Sequence, residues 1–303
     1  MSDPARILLI GGSGFLSGTL AQQAVSQGHQ VWAVTRGQRP LPAGVTSIVA
    51  DRRNPESLQN AIQDTGLEWD FAVDCICYDP EDAAPAIAVL KNRTPHLVFV
   101  STDFVFDPYH RVFPQPEETE HYLTDGYGGK KRLCELEYLN GDTGDMAWTV
   151  ARPCHIYGPG SKLGCLPLHG RDDDLIEKIK AGQSLQLVGG GHFLQQPILA
   201  RDLSDLILSF RNNAQTHNEI FCTPGPETIE SSEFYGIIAD VLGVARPQIE
   251  EISVHQYLAE NPGQATFCCH RIYSQDKLKA SGARVPATPV AQGLREHVES
   301  LLS

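Results

Sequence analysis

The sequence lacks cysteine pairs with the spacing of a metal site or a redox motif. Its eight cysteines are scattered along 303 residues, and none forms a Cys-x-x-Cys pair. Cys268 and Cys269 are adjacent, which is not ordinary metal-ligand spacing. Cys75, Cys77 and Cys222 lie in apolar, strand-like runs, where cysteine behaves as a small hydrophobe. We therefore expect reduced, mostly buried thiols and no metal site.

Long apolar runs are also missing. The first apolar run, residues 7–10, is too short for a signal peptide, and no stretch approaches the length of a membrane span. We therefore expect a soluble, cytoplasmic protein without a membrane partner.

Positive charge is in short supply. The chain has 24 Lys and Arg against 37 Asp and Glu, a net charge of −13. Such a balance disfavours a polyanionic partner, so no nucleic acid is expected. A small phosphorylated ligand is still compatible, because local basic residues and backbone dipoles can bind one.

In the first half of the chain, short apolar runs alternate with helix-like segments. This alternation is typical of a parallel sheet covered on both faces. The predicted strands are 6–10, 30–35, 47–50, 71–77, 96–101 and 148–152, and the predicted helices are 17–26, 55–64, 80–91 and 126–140.

After residue 153 the order loosens. Ser231 and Ser232 are candidate caps of a helix. The predicted helices of this half are 172–181, 201–213 and 231–243, and the predicted strands are 185–188, 220–222 and 249–253.

A glycine-rich turn follows the first predicted strand, where residues 11–18 read GGSGFLSG. A strand, a glycine turn and a helix start form the arrangement that receives a pyrophosphate. The sequence thus predicts an α/β protein with a Rossmann-type doubly wound sheet. We expect a dinucleotide-binding domain over residues 1–153. A smaller, interleaved substrate-binding part is expected over 154–303, with some segments returning to the main sheet.

The end of the second strand bears on cofactor choice. Arg36 stands where an NAD-preferring site usually carries an acid, and an arginine can pair with the extra phosphate of NADP. NADP is therefore favoured over NAD, the alternative being a solvated loop arginine. Asp51, after the next strand, could accept from the adenine amino group or cap the following helix.

Tyr127 and Lys131 are spaced i, i+4 on a predicted helix and so share a face. An ammonium beside a phenol favours phenolate and lowers the phenol pKa. The pair could then exchange a proton with a substrate alcohol or ketone. Helix-surface residues often show this spacing by chance, so the neighbouring motifs decide its meaning.

These motifs, together with the VSTDFVF segment around Thr102 and the RPCHIYGPG segment at 152–160, resemble the extended short-chain dehydrogenase/reductase family, which includes nucleotide-sugar epimerases, dehydratases and reductases. The resemblance implies that Thr102 binds the reacting substrate oxygen, Tyr127 is the acid/base, and Lys131 binds the nicotinamide ribose. Thr102 could instead be a strand-end hydroxyl bonded to its own loop. The implied cofactor contacts are Gly11, Ser13, Gly14, Phe15, Leu16, Arg36, Asp51, Cys77, Tyr127, Lys131 and Pro153.

The sequence departs from the family pattern at several positions. Ser17 replaces the third glycine of the loop, and Gln195 or Gln196 stands where many sugar-nucleotide enzymes have a diphosphate-binding arginine. Arg271 aligns near a second such arginine. His155 replaces a substrate-binding asparagine and is either a ligand contact or a core-edge residue. The implied substrate contacts are Tyr78, Asp103, Phe104, His155, Gln195 and Arg271.

Three functions remain open at this point. The first is an NAD(P)-dependent oxidoreductase or epimerase acting by reversible hydride transfer on a sugar-like carbinol or ketone, nucleotide-linked or not. The second is an NADPH-dependent reductase of a ketone that lacks a diphosphate. The third is a non-catalytic dinucleotide sensor or RNA-associated protein, which the presence of Tyr127 and Lys131 disfavours.

A homodimer is implied as well. In related proteins the helix that corresponds to 126–140 contributes to a dimer interface. Leu133, Leu136 and Tyr138 could form its apolar outer stripe, or they could simply face the sheet.

Overall fold

The structure is a computed structural model that describes residues 3–303. Strands and helices alternate through the first half of the chain, as the apolar pattern predicts. They are β1 (Arg6–Ile10), α1 (Phe15–Ser26), β2 (Gln30–Thr35), β3 (Val45–Val49), α2 (Pro55–Asp64), β4 (Phe71–Asp74), α3 (Pro80–Leu90), β5 (His96–Val100), α4 (Gly126–Asn140) and β6 (Ala147–Pro153).

Short strands and helices make up the second half. They are β7 (Ile156–Tyr157), α5 (Leu175–Lys180), β8 (Leu185–Val188), β9 (Leu194–Gln195), β10 (Ile198–Leu199), α6 (Ala200–Ser209), β11 (Glu219–Thr223), β12 (Ile229–Glu230), α7 (Ser231–Leu242), β13 (Ile249–Ile252), α8 (Val254–Glu260), α9 (Asp276–Ala280) and α10 (Val290–Leu302). Four 3₁₀ helices complete them: Asp103–Val105, Gly189–Gly191, Ala214–Thr216 and Pro262–Phe267.

Seven parallel strands form the main sheet, in the order β11-β6-β5-β4-β1-β2-β3. Both faces are buried, and alternate residues of β1 show this directly. Ile7 and Leu9 pack with α1 and α6, whereas Leu8 and Ile10 pack with α2, α3 and α4. A sheet covered on both faces explains the nearly continuous apolar strands. The predicted fold class is confirmed.

The strand order reverses beside β1, which lies between β4 and β2. In open α/β sheets a crevice forms at such a switch point, outside the carboxyl ends of the strands. The glycine loop follows the carboxyl end of β1, Thr102 follows that of β5, and Pro153 is the carboxyl end of β6. Strand β11, which lies beyond residue 153, pairs with β6 at the edge of this sheet.

Two predicted element ends are wrong for identifiable reasons. Strand β4 ends at Asp74 rather than at residue 77. The Asp74 carboxylate accepts from Arg52 at 2.6 Å and from the Ile76 N–H at 3.1 Å, and the second contact holds Ile76 in a turn instead of the strand. The helix expected over 172–181 begins only at Leu175, since the Asp172 carboxylate accepts from the Asp174 N–H at 3.0 Å and so forms a turn ahead of the helix.

The predicted caps of α7 are wrong. Its N-cap is Glu230, without a side-chain cap hydrogen bond. The Ser231 hydroxyl donates instead to the Phe193 carbonyl at 3.1 Å. In contrast, Asn54 caps α2 by accepting from the Ser57 N–H at 3.1 Å, ahead of Pro55 at the first helical position.

No helix within residues 3–303 combines the length and apolar character needed to cross a membrane.

Candidate active site

The glycine loop joins β1 to α1 at the switch point. Gly11 and Gly12 have φ of 107° and 139°, which L side chains rarely adopt. A Cβ at Gly12 would lie 2.6 Å from the Cβ of Ala33, so only glycine fits there. The first turn of α1 contains no acidic residue, and its leading N–H groups have no acceptor within the helix. The loop therefore fits a pyrophosphate group.

Ser17, in place of the third glycine, is buried and takes part in the cap of α1. Its hydroxyl accepts from the Gly14 N–H at 3.1 Å. The substitution thus uses one loop donor, while the N–H groups of Phe15 and Leu16 stay available in the first turn.

A cavity of about 400 Å³ extends from this loop past the ends of β2 and β3. Arg36 and Asp51 are exposed on its wall. Asp51 does not cap α2, because Asn54 does so; its carboxylate accepts from the Arg53 N–H at 3.0 Å. Two further exposed arginines, Arg39 and Arg53, line the same cavity and were missed from the sequence.

A second cavity, of about 700 Å³, continues on the other side of the loop. We call it the inner cavity. Thr102, Tyr127 and Lys131 all line it, as do Gly14, Phe15, Leu16 and Pro153. The hydroxyl that was expected to bind substrate, the phenol and the amine therefore share one cavity with the start of α1.

Thr102 lies just after β5 and is nearly buried. Its hydroxyl accepts from the Phe104 N–H at 3.3 Å, so the loop contact considered as an alternative role is present. The same hydroxyl donates to the Asp103 carboxylate at 3.4 Å. Both contacts are compatible, because a hydroxyl offers one donor and two acceptor sites.

Lys131 lies one turn after Tyr127 on α4 and is only 1% exposed. Its ammonium donates to the carbonyls of Cys77 and Val100 at 2.8 and 2.7 Å. Burial lowers the pKa of Lys131. Two of its three donors are thus used by a carbonyl in the loop after β4 and by the last carbonyl of β5, and one donor remains for a ligand.

Tyr127 differs from the sequence-based expectation. Desolvation, reinforced by Tyr78 and Asp103, raises its pKa to about 12. The expected lowering is therefore wrong for this structure: burial outweighs it, and the Lys131 ammonium donates to two main-chain carbonyls. At neutral pH the Tyr127 phenol is therefore protonated.

The start of α4 packs unusually closely on the loop that carries Thr102. A Cβ at Gly128 would lie 1.9 Å from the carbonyl oxygen of Phe104. Glycine after Tyr127 therefore lets the helix and the loop approach each other. This packing places Tyr127 and Thr102 on the wall of the same cavity.

Glu135, one turn beyond Lys131, was missed from the sequence. It is fully buried and accepts from Arg152 on β6 at 2.7 and 2.9 Å. It also accepts from the Ser101 hydroxyl at 2.6 Å and from Arg132 at 2.8 Å. Burial alone would raise the pKa of Glu135, but Arg152 and these donors lower it. Glu135 thereby ties α4 to the ends of β5 and β6.

Asp103 lines the inner cavity, but its carboxylate is already occupied. It accepts from Arg271 Nε at 2.7 Å and from the Tyr273 hydroxyl at 2.5 Å. Arg111 in turn donates to the Tyr273 hydroxyl at 2.7 Å. This buried pairing limits the expected contact between Asp103 and a substrate. It leaves Arg271, whose guanidinium lies 4.7 Å from the Phe104 ring centroid, beside the inner cavity.

His155 and Tyr78 also line the inner cavity. Burial lowers the pKa of His155 to about 3, so the imidazole is neutral. Its Nε2 is buried without a partner among residues 3–303, and its ring packs edge-on against Phe234 at 5.6 Å. His155 is thus both a core-edge residue and an available hydrogen-bonding group. Tyr78 is 46% exposed at the cavity wall.

Two residues predicted as ligand contacts lie outside both cavities. Cys77 is fully buried among core residues under α3 and α4, whereas its neighbours Ile76 and Tyr78 line both cavities. Gln195 is buried, and its amide donates to the Ser231 hydroxyl. Neither side chain lines the space that would hold a ligand.

Basic residues predominate in the inner cavity, although the chain is acidic overall. Lys162 and Arg171 line it together with Arg271. Such a lining favours an anionic ligand. Lys162 and Arg171 come from an irregular loop, in which Arg171 has φ of 60°, and no sequence motif marks them.

Within residues 3–303, no three His, Cys, Asp or Glu side chains are grouped so that they could hold a metal ion.

Comparison with known proteins gives one family and several relatives. The model of the NAD dependent epimerase/dehydratase family matches residues 83–222. A 3-beta-hydroxysteroid dehydrogenase of Mycolicibacterium neoaurum is 36% identical over 62% of this chain and 56% of its own length. A 2-alkyl-3-oxoalkanoate reductase of Stenotrophomonas maltophilia is 29% identical over 61% and 59%.

A third relative, the chloroplast stem-loop binding protein of 41 kDa b from Arabidopsis thaliana, is 23% identical over 82% of this chain and 66% of its own length. The chain therefore spans between 56% and 66% of the length of these curated relatives.

Solved structures share the fold over nearly the whole chain. An epimerase of Methanothermobacter thermautotrophicus has a TM-score of 0.79 at 15% identity, covering 99% of this chain and 93% of its own. A dTDP-glucose 4,6-dehydratase of Bacillus anthracis in complex with NAD has a TM-score of 0.76 at 17% identity, covering 97% and 96%. Over residues 83–222 this chain is therefore similar to the NAD dependent epimerase/dehydratase family, and it shares the doubly wound fold of these solved structures.

Proposed function

We propose that the protein is an NAD(P)-dependent oxidoreductase that transfers a hydride reversibly between its cofactor and a secondary alcohol or ketone. The observation that carries the proposal is that Thr102, Tyr127 and Lys131 line one cavity, beside the start of α1. A hydroxyl, a phenol and an amine around a single space are the groups that such a reaction requires.

Cofactor binding would use both cavities. The backbone of the glycine loop and the first turn of α1 would hold the pyrophosphate, and the free donor of Lys131 would bind the nicotinamide ribose. When bound, the nicotinamide supplies or accepts the hydride. We propose NADP as the preferred form, because Arg36, Arg39 and Arg53 line the cavity that extends past β2 and can pair with an added phosphate.

Proton transfer would be the task of Tyr127. Because its pKa is raised to about 12, the phenol carries a proton at neutral pH and is ready to donate it to a ketone oxygen. The Thr102 hydroxyl would hold that oxygen. In the reverse direction the Tyr127 phenolate would accept the proton of the alcohol, so the same groups serve both directions of the transfer.

We propose a ketone, rather than a nucleotide sugar, as the substrate. At position 195 or 196 many sugar-nucleotide enzymes have an arginine that binds the diphosphate. Here the Gln195 side chain carries no charge and lies outside the inner cavity. Two relatives are named as a steroid dehydrogenase and an oxoalkanoate reductase. A sugar-like carbinol remains the second candidate substrate, supported by the lining cations Arg171 and Arg271 and by the fold shared with epimerases.

A nucleic-acid-binding role has one argument in its favour, the name of the stem-loop binding relative. The net charge of −13 opposes it, because nucleic-acid affinity depends on neutralising phosphates. We therefore propose that the protein has no nucleic acid partner.

We also propose a homodimer through α4. Leu133 is 45% exposed there, whereas Tyr138 is buried and stacks on Phe99 at 5.0 Å. The outer stripe is thus narrower than the sequence suggests, and it comprises Leu133 and the partly buried Leu136. A monomer mass in light scattering at micromolar concentration would exclude the homodimer.

The test of the function is NADPH oxidation with a panel of ketones, comparing wild type with Tyr127→Phe. We expect the variant to lose about 10²–10⁴-fold in kcat, the usual contribution of a general acid, while NADPH affinity measured by fluorescence stays within about twofold. Tyr257→Phe, on α8 outside both cavities, is the matched control. Equal turnover in wild type and Tyr127→Phe would refute the assignment.

A further inference from the structure

A third cavity, of about 810 Å³, opens on the far side of Tyr127 from the glycine loop. We call it the outer groove. It runs between the loop after β5, the start of α4 and the 3₁₀ helix Pro262–Phe267. Apolar side chains dominate its walls, chiefly Phe104, Tyr109, Leu123, Tyr127, Ala265 and Phe267.

Aromatic packing shapes the floor of this groove. Phe267 packs edge-on against Phe104 at 4.8 Å between ring centroids, and Phe104 packs edge-on against Tyr127 at 6.3 Å. Tyr109 stands at the rim with 72% of its side chain exposed. An apolar wall that faces solvent in this way marks a surface that buries apolar partners.

Phe104 and Tyr127 line the outer groove and the inner cavity alike. The phenol is therefore at a junction between two spaces of different chemistry. Basic residues such as Arg171 and Arg271 line the inner cavity. The outer groove has mainly apolar walls, and its charged lining residues are the carboxylates Asp107 and Asp125. A secondary carbinol carbon carries two carbon substituents, and a site of this shape receives them in opposite directions.

We propose that the outer groove binds an extended apolar substituent of the ketone substrate, such as an alkyl chain of several carbons. This inference rests on the proposed function, and it narrows the substrate from any ketone to one with a hydrocarbon arm. Because Phe104 and Tyr127 line both spaces, the groove lies next to the phenol that would act on the substrate, and a substituent of that substrate is the occupant that this position favours.

The test is a homologous series of ethyl 3-oxoalkanoates, from 3-oxobutanoate to 3-oxodecanoate, with NADPH. The ester arm stays constant while the alkyl arm grows. Each methylene buried in the groove should raise kcat/KM about fourfold, the fold-change that corresponds to about 0.8 kcal/mol, until the groove is full. A flat series in the wild-type protein would overturn the proposal.

Gly263→Trp tests the location. A Cβ at Gly263 meets nothing within 4 Å, so a tryptophan can be placed there and will fill the groove. We expect the ratio of kcat/KM between the longest and shortest esters to fall at least tenfold. Leu301→Trp, on the exposed end of α10, should keep the wild-type ratio. An unchanged ratio in Gly263→Trp would overturn the proposal, as would a variant that changes the oligomeric mass instead, because the groove would then be a subunit interface.

Failure of the proposed function has a different signature, since no ester would then be reduced at any chain length. In that case the fluorescent apolar probe 1-anilinonaphthalene-8-sulfonate still reports on the groove. Wild type should bind the probe and release it to ethyl 3-oxodecanoate, whereas Gly263→Trp should bind it at least tenfold more weakly. Absence of probe binding to wild type would refute the groove assignment itself.

Discussion

Replacing Glu135 by glutamine tests how the active-site helix is anchored. The wild-type carboxylate is fully buried and accepts four hydrogen bonds, from Arg152 twice and from Ser101 and Arg132 once each. Glutamine has nearly the same shape but no charge. Its amide oxygen can still accept some of these hydrogen bonds. Its NH₂ group is a donor and cannot accept the others. The substitution therefore leaves the Arg152 guanidinium, which is only 1% exposed, without its counter-charge.

The expected loss follows from that unpaired charge. Removing one partner of a buried ion pair costs about 3–5 kcal/mol, and we expect about 3 kcal/mol here because the amide oxygen still accepts. The loss should depend on pH. The pKa of Glu135 is lowered in the folded protein, so its stabilisation is fully present above the ordinary glutamate pKa of 4.5 and disappears as the pH falls through the lower folded value.

Urea unfolding followed by tryptophan fluorescence at pH 7 and pH 4 measures both effects. The difference between wild type and Glu135→Gln should be full at pH 7 and should begin to shrink only below pH 4.5. Glu137→Gln, two residues further along the same helix, is the matched control and should change the free energy of unfolding by less than about 0.5 kcal/mol. Identical midpoints for wild type and Glu135→Gln at pH 7 would refute the reasoning.

Two further changes test cofactor binding. Arg36→Gln should weaken NADPH at least tenfold while changing NADH less than twofold, since only NADPH has the phosphate that this arginine would pair with; equal losses in titrations of both cofactors would remove the preference for NADP. Gly12→Ala should abolish dinucleotide binding in calorimetry and lower the melting temperature. Its Cβ would lie 2.6 Å from that of Ala33 at φ of 139°, so normal binding by this variant would show that the loop tolerates a side chain.

Local pattern was sufficient for much of the architecture. The bounds of β1, β2, α2 and α4 follow from apolar spacing and from Asn54 and Pro55, because these signals act within a few residues. The glycine loop was identifiable because its φ angles require glycine, and Tyr127 and Lys131 because an α-helix places i and i+4 on one face.

The chemistry of the site depended on partners distant in the chain. Lys131 is held by carbonyls 54 and 31 residues away, and Asp103 by Arg271, 168 residues away. These partners hold the Lys131 ammonium on two carbonyls, and they satisfy the Asp103 carboxylate before any substrate arrives. Cys77 and Gln195 fall outside the cavities for the same reason, because the direction of a side chain beyond a strand end is set by the elements packed around it.

The sequence by itself determined which segments are buried strands, where the backbone must turn on glycine, and which phenol and amine share a helical face. Only the tertiary structure decided which charges neutralise one another and how two cavities meet at Tyr127. Periodicity and steric demands act over a few residues, whereas desolvation and ion pairing are set by groups that the chain brings together across its whole length.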